Sequence, residues 1–334
     1  MAKKPSHKLV LRVVFSSLLG IFLIILWAHF VNFSYLFARL KTADLQLASL
    51  FFVLFVVSGT GRGFRLKTLL KKYSLPFKNI VMLTFLGQFL SFFIPVRAGE
   101  ITKSAYLTSR YDLPLGKTIT WIFIDRFLDF LAVLFFIAWL IFLVPNRLSK
   151  DTPLIAAGLF AVFLLFFIAA VLAQSVLKKV LMFASRFLVF PKIKKGFLSF
   201  STHIVDGFEV LRQGWGILVV VIGLTVFVTL SDSLMWFFVF RSVGVSVNFE
   251  TGLFGNCLTA LTFLIPSTPG YIGSAEAAAT GVFAAVLGVN INAASAGAVL
   301  MHLMTALALL AAGLSAIYLL DFDLGTVWTK IRGQ

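Results

Sequence analysis

The stretch Phe92-Phe93-Ile94-Pro95-Val96-Arg97-Ala98-Gly99-Glu100 decides how this chain folds, because a proline and then a glycine four residues later interrupt an apolar segment. A second stretch, Phe263-Leu264-Ile265-Pro266-Ser267-Thr268-Pro269-Gly270-Tyr271, repeats the pattern in the other half of the chain. Polar residues come directly after each of the two breaks in the sequence. Broken apolar segments at matching positions of two halves are the best sequence indication of a transporter's substrate site.

The composition is typical of a membrane protein. Of the 334 residues, 60% are hydrophobic and 13% are charged, and the mean hydropathy is +1.01. A soluble domain is about half apolar and a quarter charged. The formal net charge of +16 favours basic cytoplasmic loops and contact with anionic lipid, and no basic aromatic module indicates nucleic-acid binding. The single cysteine and four scattered histidines indicate neither a disulfide framework nor a metal site.

Six apolar runs are long enough to span a bilayer. They are Leu9–Phe30, Leu45–Gly61, Thr118–Pro145, Leu154–Ala173, Gly216–Phe240 and Ala294–Leu320. Basic clusters lie before the first run, after the second, between the fourth and fifth, and in the C-terminal tail, so both termini are expected in the cytoplasm. The connection 174–214 mixes Lys and Arg with Phe and Leu, which is typical of amphipathic helices on an anionic membrane surface.

The same charge rule constrains the two broken segments. Segments 78–111 and 251–289 must each cross the membrane an even number of times, the first from the cytoplasm and the second from outside. We therefore predict an all-α integral membrane protein with six full spanning helices, two re-entrant or paired short-helix elements and an inverted-repeat architecture. A single polytopic domain, 1–334, would contain pseudo-repeat halves 45–173 and 216–320. The alternative is a chance similarity between two strings of a Phe-rich chain.

The prolines and glycines of the breaks predict an internal cavity. The helix-breaking residues are Pro95, Pro266, Pro269 and Gly273, whereas Gly99 and Gly270, which can adopt backbone angles denied to other residues, are candidates for the substrate site. Non-helical backbone at membrane depth requires cover by protein or a water-filled cavity. Helices that start near Glu100 and Ser274 would direct their N-terminal amides at this cavity, and Arg97 and Lys103 would add positive charge suited to a phosphodiester. The alternative is two loops at the membrane surface, where these cations touch headgroups from outside.

Three ionisable residues, Asp125, Arg126 and Asp129, interrupt the third apolar run. The two carboxylates share a helix face, and Arg126 can reach Asp129 at i,i+3. Each charge costs roughly 2.5–3.5 kcal/mol at the centre of a spanning helix, so all three are expected to be paired inside the protein. They could bind a cationic headgroup, pair with Arg97 or Lys103, or relay protons. A static ion-pair lock is the alternative.

Other ionisable residues within apolar segments are further candidates. Asp232 lies inside the fifth run. It is expected either to line the cavity or to form hydrogen bonds with neighbouring helices. Glu276 could bind a ligand, or only stabilise the first turn of its helix. His302 is either a functional residue or a packed histidine. Arg62 and Arg65 are expected to be orientation signals and headgroup contacts.

The sequence shows no nucleotide-binding glycine loop, no metal-binding cluster and no Ser/His/Asp arrangement of recognisable spacing. We therefore expect a transporter rather than an enzyme, without a cofactor.

Three motifs in order resemble those of the lysylphosphatidylglycerol synthase/flippase transmembrane family. They are Ile94-Pro95-Val96-Arg97-Ala98-Gly99-Glu100, Asp125-Arg126-Phe127-Leu128-Asp129 and Ile265-Pro266-Ser267-Thr268-Pro269-Gly270-Tyr271-Ile272-Gly273-Ser274-Ala275-Glu276. The family commonly shows Pro-x-Arg-x-Gly-Glu, Glu-Arg-x-x-Asp and Pro-x-x-Pro-Gly-x-x-Gly. Here Asp125 stands where Glu is usual, and Tyr271 where Gly is common. The resemblance covers about residues 10–320.

Members of that family with a soluble aminoacyl-transferase domain make an aminoacylated phospholipid and translocate it with the membrane domain. No such domain follows before Gln334, so the resemblance implies a stand-alone member. It would move an anionic or zwitterionic phospholipid, or a lipid-linked headgroup, between leaflets of the inner membrane. Arg97 and Lys103 would engage phosphate, and the carboxylates would engage cationic headgroup atoms or gate the path.

Other activities and partners stay open at this point. One alternative is a membrane-embedded lipid-modifying transferase or an accessory subunit of one, and another is a secondary transporter of a small anion. Membrane lipids are the expected partners, with a homo-oligomer or a lipid-synthesising enzyme as further partners.

Overall fold

The computed structural model describes residues 21–94, 98–188, 190–212, 214–263 and 268–323, and every regular element within these ranges is helical. The helices are α1 (Ile21–Phe30), α2 (Phe33–Lys41), α3 (Leu45–Leu69), α4 (Phe77–Phe93), α5 (Ala98–Tyr111), α6 (Leu115–Leu140), α7 (Thr152–Leu172), α8 (Gln174–Ala184), α9 (Pro191–Gly207), α10 (Glu209–Arg212), α11 (Trp215–Ser242), α12 (Phe249–Thr262), α13 (Ser274–Thr280) and α14 (Ile291–Leu319). Short 3₁₀ turns occupy Ser185–Phe187 and Pro269–Tyr271, and a π-helical segment, Gly281–Val286, continues α13. The chain is therefore all-α, as predicted, over the part that the structure describes.

Within the described residues, four helices are long and apolar enough to cross a membrane, namely α3, α7, α11 and α14. A fifth span exists if α1 and α2, which are bent by 88° at a short break, count as one. Helix α6 has 26 residues and also the length to cross, but it carries Asp125, Arg126 and Asp129. Length and composition thus support four or five spans. The predicted number of six stays a prediction, and the start of the first expected span lies outside the described residues.

Helices α3 and α11 form a long antiparallel pair at the centre of the bundle. At one end, the backbone N–H of Asp44 donates to the carbonyl oxygen of Ser242 at 2.8 Å. At the other, Arg65 Nη1 donates to Thr225 Oγ1 at 3.0 Å. Later residues of α3 therefore meet earlier residues of α11. Gly61 permits the close approach, since a Cβ there would lie 3.0 Å from a Val228 methyl group.

Each broken segment forms a hairpin of two short helices. In the first hairpin, Asn79 Nδ2 donates to the Tyr111 hydroxyl at 2.8 Å, and Ser91 Oγ donates to Glu100 Oε2 at 3.0 Å, so α4 and α5 run antiparallel away from the break. The second hairpin contains α12 and α13. Whether either hairpin re-enters or crosses the membrane stays a prediction.

Gly99 allows the two arms of the first hairpin to touch. A Cβ at this position would collide with the carbonyl oxygen of Gly87 and with Ser91 Oγ. The collision involves backbone, which cannot move aside as a side chain can. Glycine is therefore required at the closest approach of α4 and α5.

The tips of the two hairpins meet inside the bundle. The rings of Phe92 and Tyr271 lie with centroids 5.7 Å apart. The second break contains a turn at Pro269, with Gly270 at φ +66° and Gly273 at φ +82°, conformations that favour glycine. Of the predicted helix-breaking residues, Pro95 and Pro266 lie outside the described residues.

Basic residues concentrate at one end of the bundle, where α3 ends and α11 begins. We call this the basic end; its residues include Lys67, Lys71, Lys72, Lys78, Arg110, Lys117, Lys178, Lys179, Lys192, Lys194, Lys195 and Arg212. Helices α8 to α10 cover it, and Gly207 of α9 lies against Thr120 near the start of α6. The side of the membrane that this end faces stays a prediction.

Candidate functional site

A cavity of about 370 Å³ lies where the hairpin tips meet, near the middle of α3, α11 and α14. Its apolar lining includes Phe51, Phe55, Phe92, Trp236, Phe263 and Leu309. Its polar lining includes Ser58, Arg62, Gln88, Ser91, Glu100, Lys103, Arg126, Asp232, Asn256, Thr259 and His302. Convergent polar groups in a mostly apolar cavity are typical of a ligand site.

Lys103 places a buried positive charge on this cavity. The residue is 2% exposed, and its methylene chain packs against Gly87 of α4. Among the described residues, no carboxylate oxygen lies within 4.0 Å of its ammonium group. Buried charges are normally paired, because leaving water is costly without a compensating partner. The ammonium of Lys103 is therefore available to an anion in the cavity.

Glu100 lies one turn before Lys103 on α5 and also lines the cavity. Its carboxylate accepts a hydrogen bond from Ser91 Oγ at 3.0 Å. No cationic nitrogen of the described chain comes within 4.0 Å of it. One face of α5 thus presents a cation and an anion to the cavity, and within the described residues neither has an oppositely charged atom within 4.0 Å.

Two hydrogen-bond donors beside the cavity lack acceptors. In the part of the chain that the structure describes, Gln88 Nε2 and Arg126 Nε are both buried without a hydrogen-bond partner, although their side chains line the cavity. Buried polar atoms in native structures are usually satisfied, so such exceptions require an explanation. A ligand with acceptor oxygens would supply the missing partners.

A cluster of four charges borders the cavity toward the basic end. Arg65 donates from Nε to Asp125 Oδ1 at 2.7 Å, and its Nη1 lies 2.6 Å from Asp129 Oδ1. Arg126 contacts the same two carboxylates, at 2.8 Å for Asp125 and 3.1 Å for Asp129. The predicted i,i+3 pair of Arg126 and Asp129 is confirmed. Two guanidinium groups and two carboxylates give a neutral cluster that joins α3 to α6.

Arg62 and Asp232 form a second ion pair, which joins α3 to α11 and lines the cavity. Ser58 Oγ donates to Asp232 Oδ1 at 2.5 Å. The expectation that Arg62 and Arg65 are surface orientation signals is wrong, because Arg65 is fully buried and Arg62 points into the bundle. The spacing in the sequence indicates an inward position, because the polar residues 58, 62 and 65 recur at helical spacing on one face of an apolar helix.

His302 ties α14 to the second break. Its Nδ1 lies 2.5 Å from Glu276 Oε1, and its Nε2 lies 2.7 Å from the carbonyl oxygen of Gly270. The other oxygen of Glu276 accepts the N–H of Gly273 at 2.9 Å. Gly273, rather than Ser274, occupies the cap position of α13. Glu276 therefore stabilises the start of its helix and holds a histidine at the same time.

The structure brings most of the predicted site residues to one place. Glu100, Lys103, Arg126, Asp232 and His302 line the cavity. Asp125, Asp129, Gly270 and Glu276 contact residues that line it. Gly99 acts in the packing of α4 against α5. Arg97, which was expected to bind phosphate, lies outside the described residues. Sequence reasoning missed Ser58, Gln88, Ser91, Asn256 and Thr259, since uncharged polar residues in apolar helices carry a weak signal.

A family model described as the lysylphosphatidylglycerol synthase TM region matches residues 9–313. No curated protein and no solved structure matches the chain. The match runs from before α1 into α14, so it includes both hairpins and every residue named above as lining the cavity.

Proposed function

We propose that this chain, which belongs to the lysylphosphatidylglycerol synthase transmembrane family, moves a phospholipid or lipid-linked headgroup between the two leaflets of a membrane. Family membership itself gives a membrane protein with a lipid-related role. The translocation step is our inference from the cavity. The observation that carries it is the ammonium of Lys103, which is buried on a broken hairpin with no carboxylate oxygen within 4.0 Å among the described residues.

A phosphate is the chemical group that this cavity accommodates best. Lys103 supplies a positive charge, and Gln88 Nε2 and Arg126 Nε supply donors that have no acceptor among the described residues. Charge-assisted hydrogen bonds to phosphate oxygens are stronger than neutral ones. A phosphodiester would satisfy all three groups together, which supports a phosphate position beside α4 and α5.

Glu100 supports a headgroup with a second polar part. Its carboxylate lies on the same face of α5 as Lys103 and accepts one hydrogen bond, from Ser91. It has acceptor capacity left for an ammonium group or for hydroxyl groups of the headgroup. An anionic headgroup with hydroxyls and a zwitterionic headgroup with an amine both meet this requirement.

The size of the cavity favours a headgroup over a whole lipid. Small-molecule sites are roughly 300–1,000 Å³, and this cavity, at about 370 Å³, lies at the lower end of that range. Two acyl chains do not fit such a volume together with a phosphate. We infer that the headgroup crosses through the bundle while the acyl chains stay in the surrounding lipid.

The arrangement of the halves supports access from both leaflets. In each half a long helix, α3 or α11, precedes a hairpin, and α3 and α11 run antiparallel. We propose that the halves form an inverted repeat with six full spans, and that the hairpins enter from opposite sides. Rocking of the halves would then expose the cavity to each leaflet in turn. We further propose that the basic end and both termini face the cytoplasm, across the inner membrane.

The experiment that tests this function is leaflet exchange of fluorescent phospholipids in liposomes that contain the purified chain. A quencher added outside removes the fluorescence of outer-leaflet lipid only. Leaflet exchange therefore appears as loss of the fluorescence of the inner-leaflet lipid, which is otherwise protected. We expect wild-type chain to accelerate exchange, and Lys103→Gln to slow it at least tenfold. Lys179→Gln removes the same charge at an exposed site of the basic end and is the matched control. If wild-type liposomes behave like protein-free liposomes for every headgroup tested, the proposal is wrong.

Two further measurements separate the alternatives. Uptake of radiolabelled phosphate without any lipid exchange would identify a transporter of a small anion. A new lipid product, formed when purified chain is mixed with an activated donor lipid, would identify a transferase. Mass spectrometry of the lipids that co-purify with wild-type chain and with Lys103→Gln gives the headgroup class.

A further inference from the structure

We propose that His302 and Glu276 form a proton-binding site, and that the chain couples lipid movement to transfer of a proton across the membrane. The coupling rests on the proposed translocation, whereas the proton site rests on hydrogen-bond geometry alone. The pair lies between α14 and the second break, and His302 lines the central cavity. A proton that enters the cavity with water can therefore reach the imidazole.

The hydrogen bonds of His302 require one proton more than a neutral imidazole and a carboxylate carry. Its Nε2 lies 2.7 Å from the carbonyl oxygen of Gly270, which can only accept, so Nε2 carries a hydrogen. Its Nδ1 lies 2.5 Å from Glu276 Oε1. Two lone pairs cannot face each other at this distance, so a proton lies between them, on the nitrogen or on the oxygen. The pair is then electrically neutral.

Loss of that proton breaks one of the two hydrogen bonds. If the remaining hydrogen stays on Nε2, then Nδ1 and the carboxylate of Glu276 repel each other. If it moves to Nδ1, the bond from Nε2 to Gly270 is lost. Either way the pair gains a negative charge in a largely buried place, where the side chains of His302 and Glu276 are 12% and 15% exposed. The link between α14 and the second break therefore depends on the bound proton.

The position of this link explains how a proton would affect translocation. Gly270 precedes Tyr271, whose ring contacts Phe92 at the tip of the first hairpin. The imidazole of His302 also packs on Phe92, with ring centroids 5.5 Å apart. Release of Gly270 by the histidine would free the junction of the two tips. We infer that the protonated pair holds the tips together and that the deprotonated pair lets them part.

Other titratable groups face the same cavity. From the neighbouring helices they are Arg62, Glu100, Lys103, Arg126, Tyr271 and Asp232, while Cys257 is buried in α12. Asp232 is paired with Arg62, and Arg126 is paired with two carboxylates. Glu100 accepts a hydrogen bond from Ser91 and, among the described residues, makes no contact that requires a shared proton. The geometry therefore selects His302 with Glu276.

The first test measures the lipid distribution under a pH gradient in the liposomes described above. If one proton moves with each lipid, a gradient of one pH unit sustains about a tenfold ratio of labelled lipid between the leaflets. We expect this asymmetry for wild type and for His203→Gln, an exposed histidine on α9 that serves as the control. His302→Gln and Glu276→Gln should lose it. Lipid exchange that stays symmetric in wild type under the gradient overturns the coupling and leaves the translocation proposal standing.

The second test does not depend on transport. Solid-state NMR of chain labelled with ¹⁵N-histidine in bilayers reports whether each ring nitrogen carries a proton. At acidic pH we expect a histidine resonance whose Nδ1 shares a proton, and this resonance should be absent from the His302→Gln variant. As the pH rises, the signal should convert to that of a neutral imidazole. Glu276→Gln should abolish the shared-proton signal while the resonance of His203 stays unchanged. A His302 resonance that shows no proton shared at Nδ1 at any pH between about 5 and 9, the range that spans ordinary histidine titration, would overturn the proton site itself.

Discussion

Arg65 and Asp125 form a fully buried ion pair that joins α3 to α6, with the guanidinium Nε donating to Asp125 Oδ1 at 2.7 Å. The backbone carbonyl of Asp125 accepts a second hydrogen bond from Arg65 Nη2 at 3.1 Å. Removal of one partner of a buried pair leaves an uncompensated charge and costs about 3–5 kcal/mol. Asp125→Asn should therefore lower the thermal unfolding midpoint in detergent strongly.

The double variant Arg65→Gln with Asp125→Asn tests the reason for that loss. Removing both charges should recover part of the stability, because no buried ion is then left without its partner. If the single variant unfolds at the same temperature as wild type, the pair does not stabilise the bundle.

We expect Lys103 to lower the stability of the folded protein although lipid exchange requires it. The buried ammonium of Lys103 has no carboxylate oxygen within 4.0 Å among the described residues, which is unfavourable, so Lys103→Met should raise the unfolding midpoint while it abolishes lipid exchange. We expect a gain of about 1 kcal/mol or more. Lys179→Met, at an exposed position, is the control for both measurements. A variant that loses stability together with exchange would indicate a structural role for Lys103.

Asp232 should tune how tightly a lipid phosphate is held. Asp232→Asn removes the counter-ion of Arg62 and leaves that guanidinium open to the cavity. We expect several-fold more anionic phospholipid to co-purify with this variant, and slower leaflet exchange, because release becomes limiting. Asp206→Asn removes an exposed partner of Lys178 at the basic end and should change neither quantity. Equal lipid retention by the two variants would argue against a phosphate position beside Arg62.

Gly99 should tolerate no side chain. Gly99→Ala places a methyl group against the backbone of Gly87, and overpacking of this kind costs about 1–3 kcal/mol. Gly158→Ala on α7 meets no atom within 4 Å and should be neutral or slightly stabilising. The comparison of unfolding midpoints checks the contact between α4 and α5. Similar midpoints for the two variants would show that the helices are farther apart than described.

The orientation of the bundle is checked by single cysteines in a Cys257→Ser background. We expect a cysteine at Lys179 of the basic end to react only with reagents on the cytoplasmic side. A cysteine at Lys150, in the loop between α6 and α7, should react only from outside. The reverse pattern would invert the proposed topology, and labelling of both positions from one side would contradict the placement of α7.

The long elements could be predicted because hydropathy and helical length dominate in a membrane. The runs that begin near Leu45, Thr118, Leu154, Gly216 and Ala294 all fall on long helices. Their ends were less certain, since an amphipathic turn at the surface extends a helix without adding apolar residues. Helix α3 therefore continues to Leu69, past the predicted end at Gly61.

The assembly of the site depends on packing between helices, which one sequence does not specify. Asp125, Arg126 and Asp129 were recognisable because each charge is costly in lipid. Arg65 was misread, since a basic residue near the end of an apolar run is usually an orientation signal. The contact of His302 with Glu276 crosses 26 positions, from α13 to α14, so no local pattern indicated it.

The antiparallel pair of α3 and α11 has a mechanical consequence. Hydrogen bonds connect these helices from Asp44 and Ser242 at one end to Arg65 and Thr225 at the other, so the pair resists sliding along its whole length. We therefore expect the relative motion of the two proposed halves to be a rotation about the α3–α11 pair. Displacement grows with distance from the axis, so probes on α7 should record large changes and probes on α3 almost none.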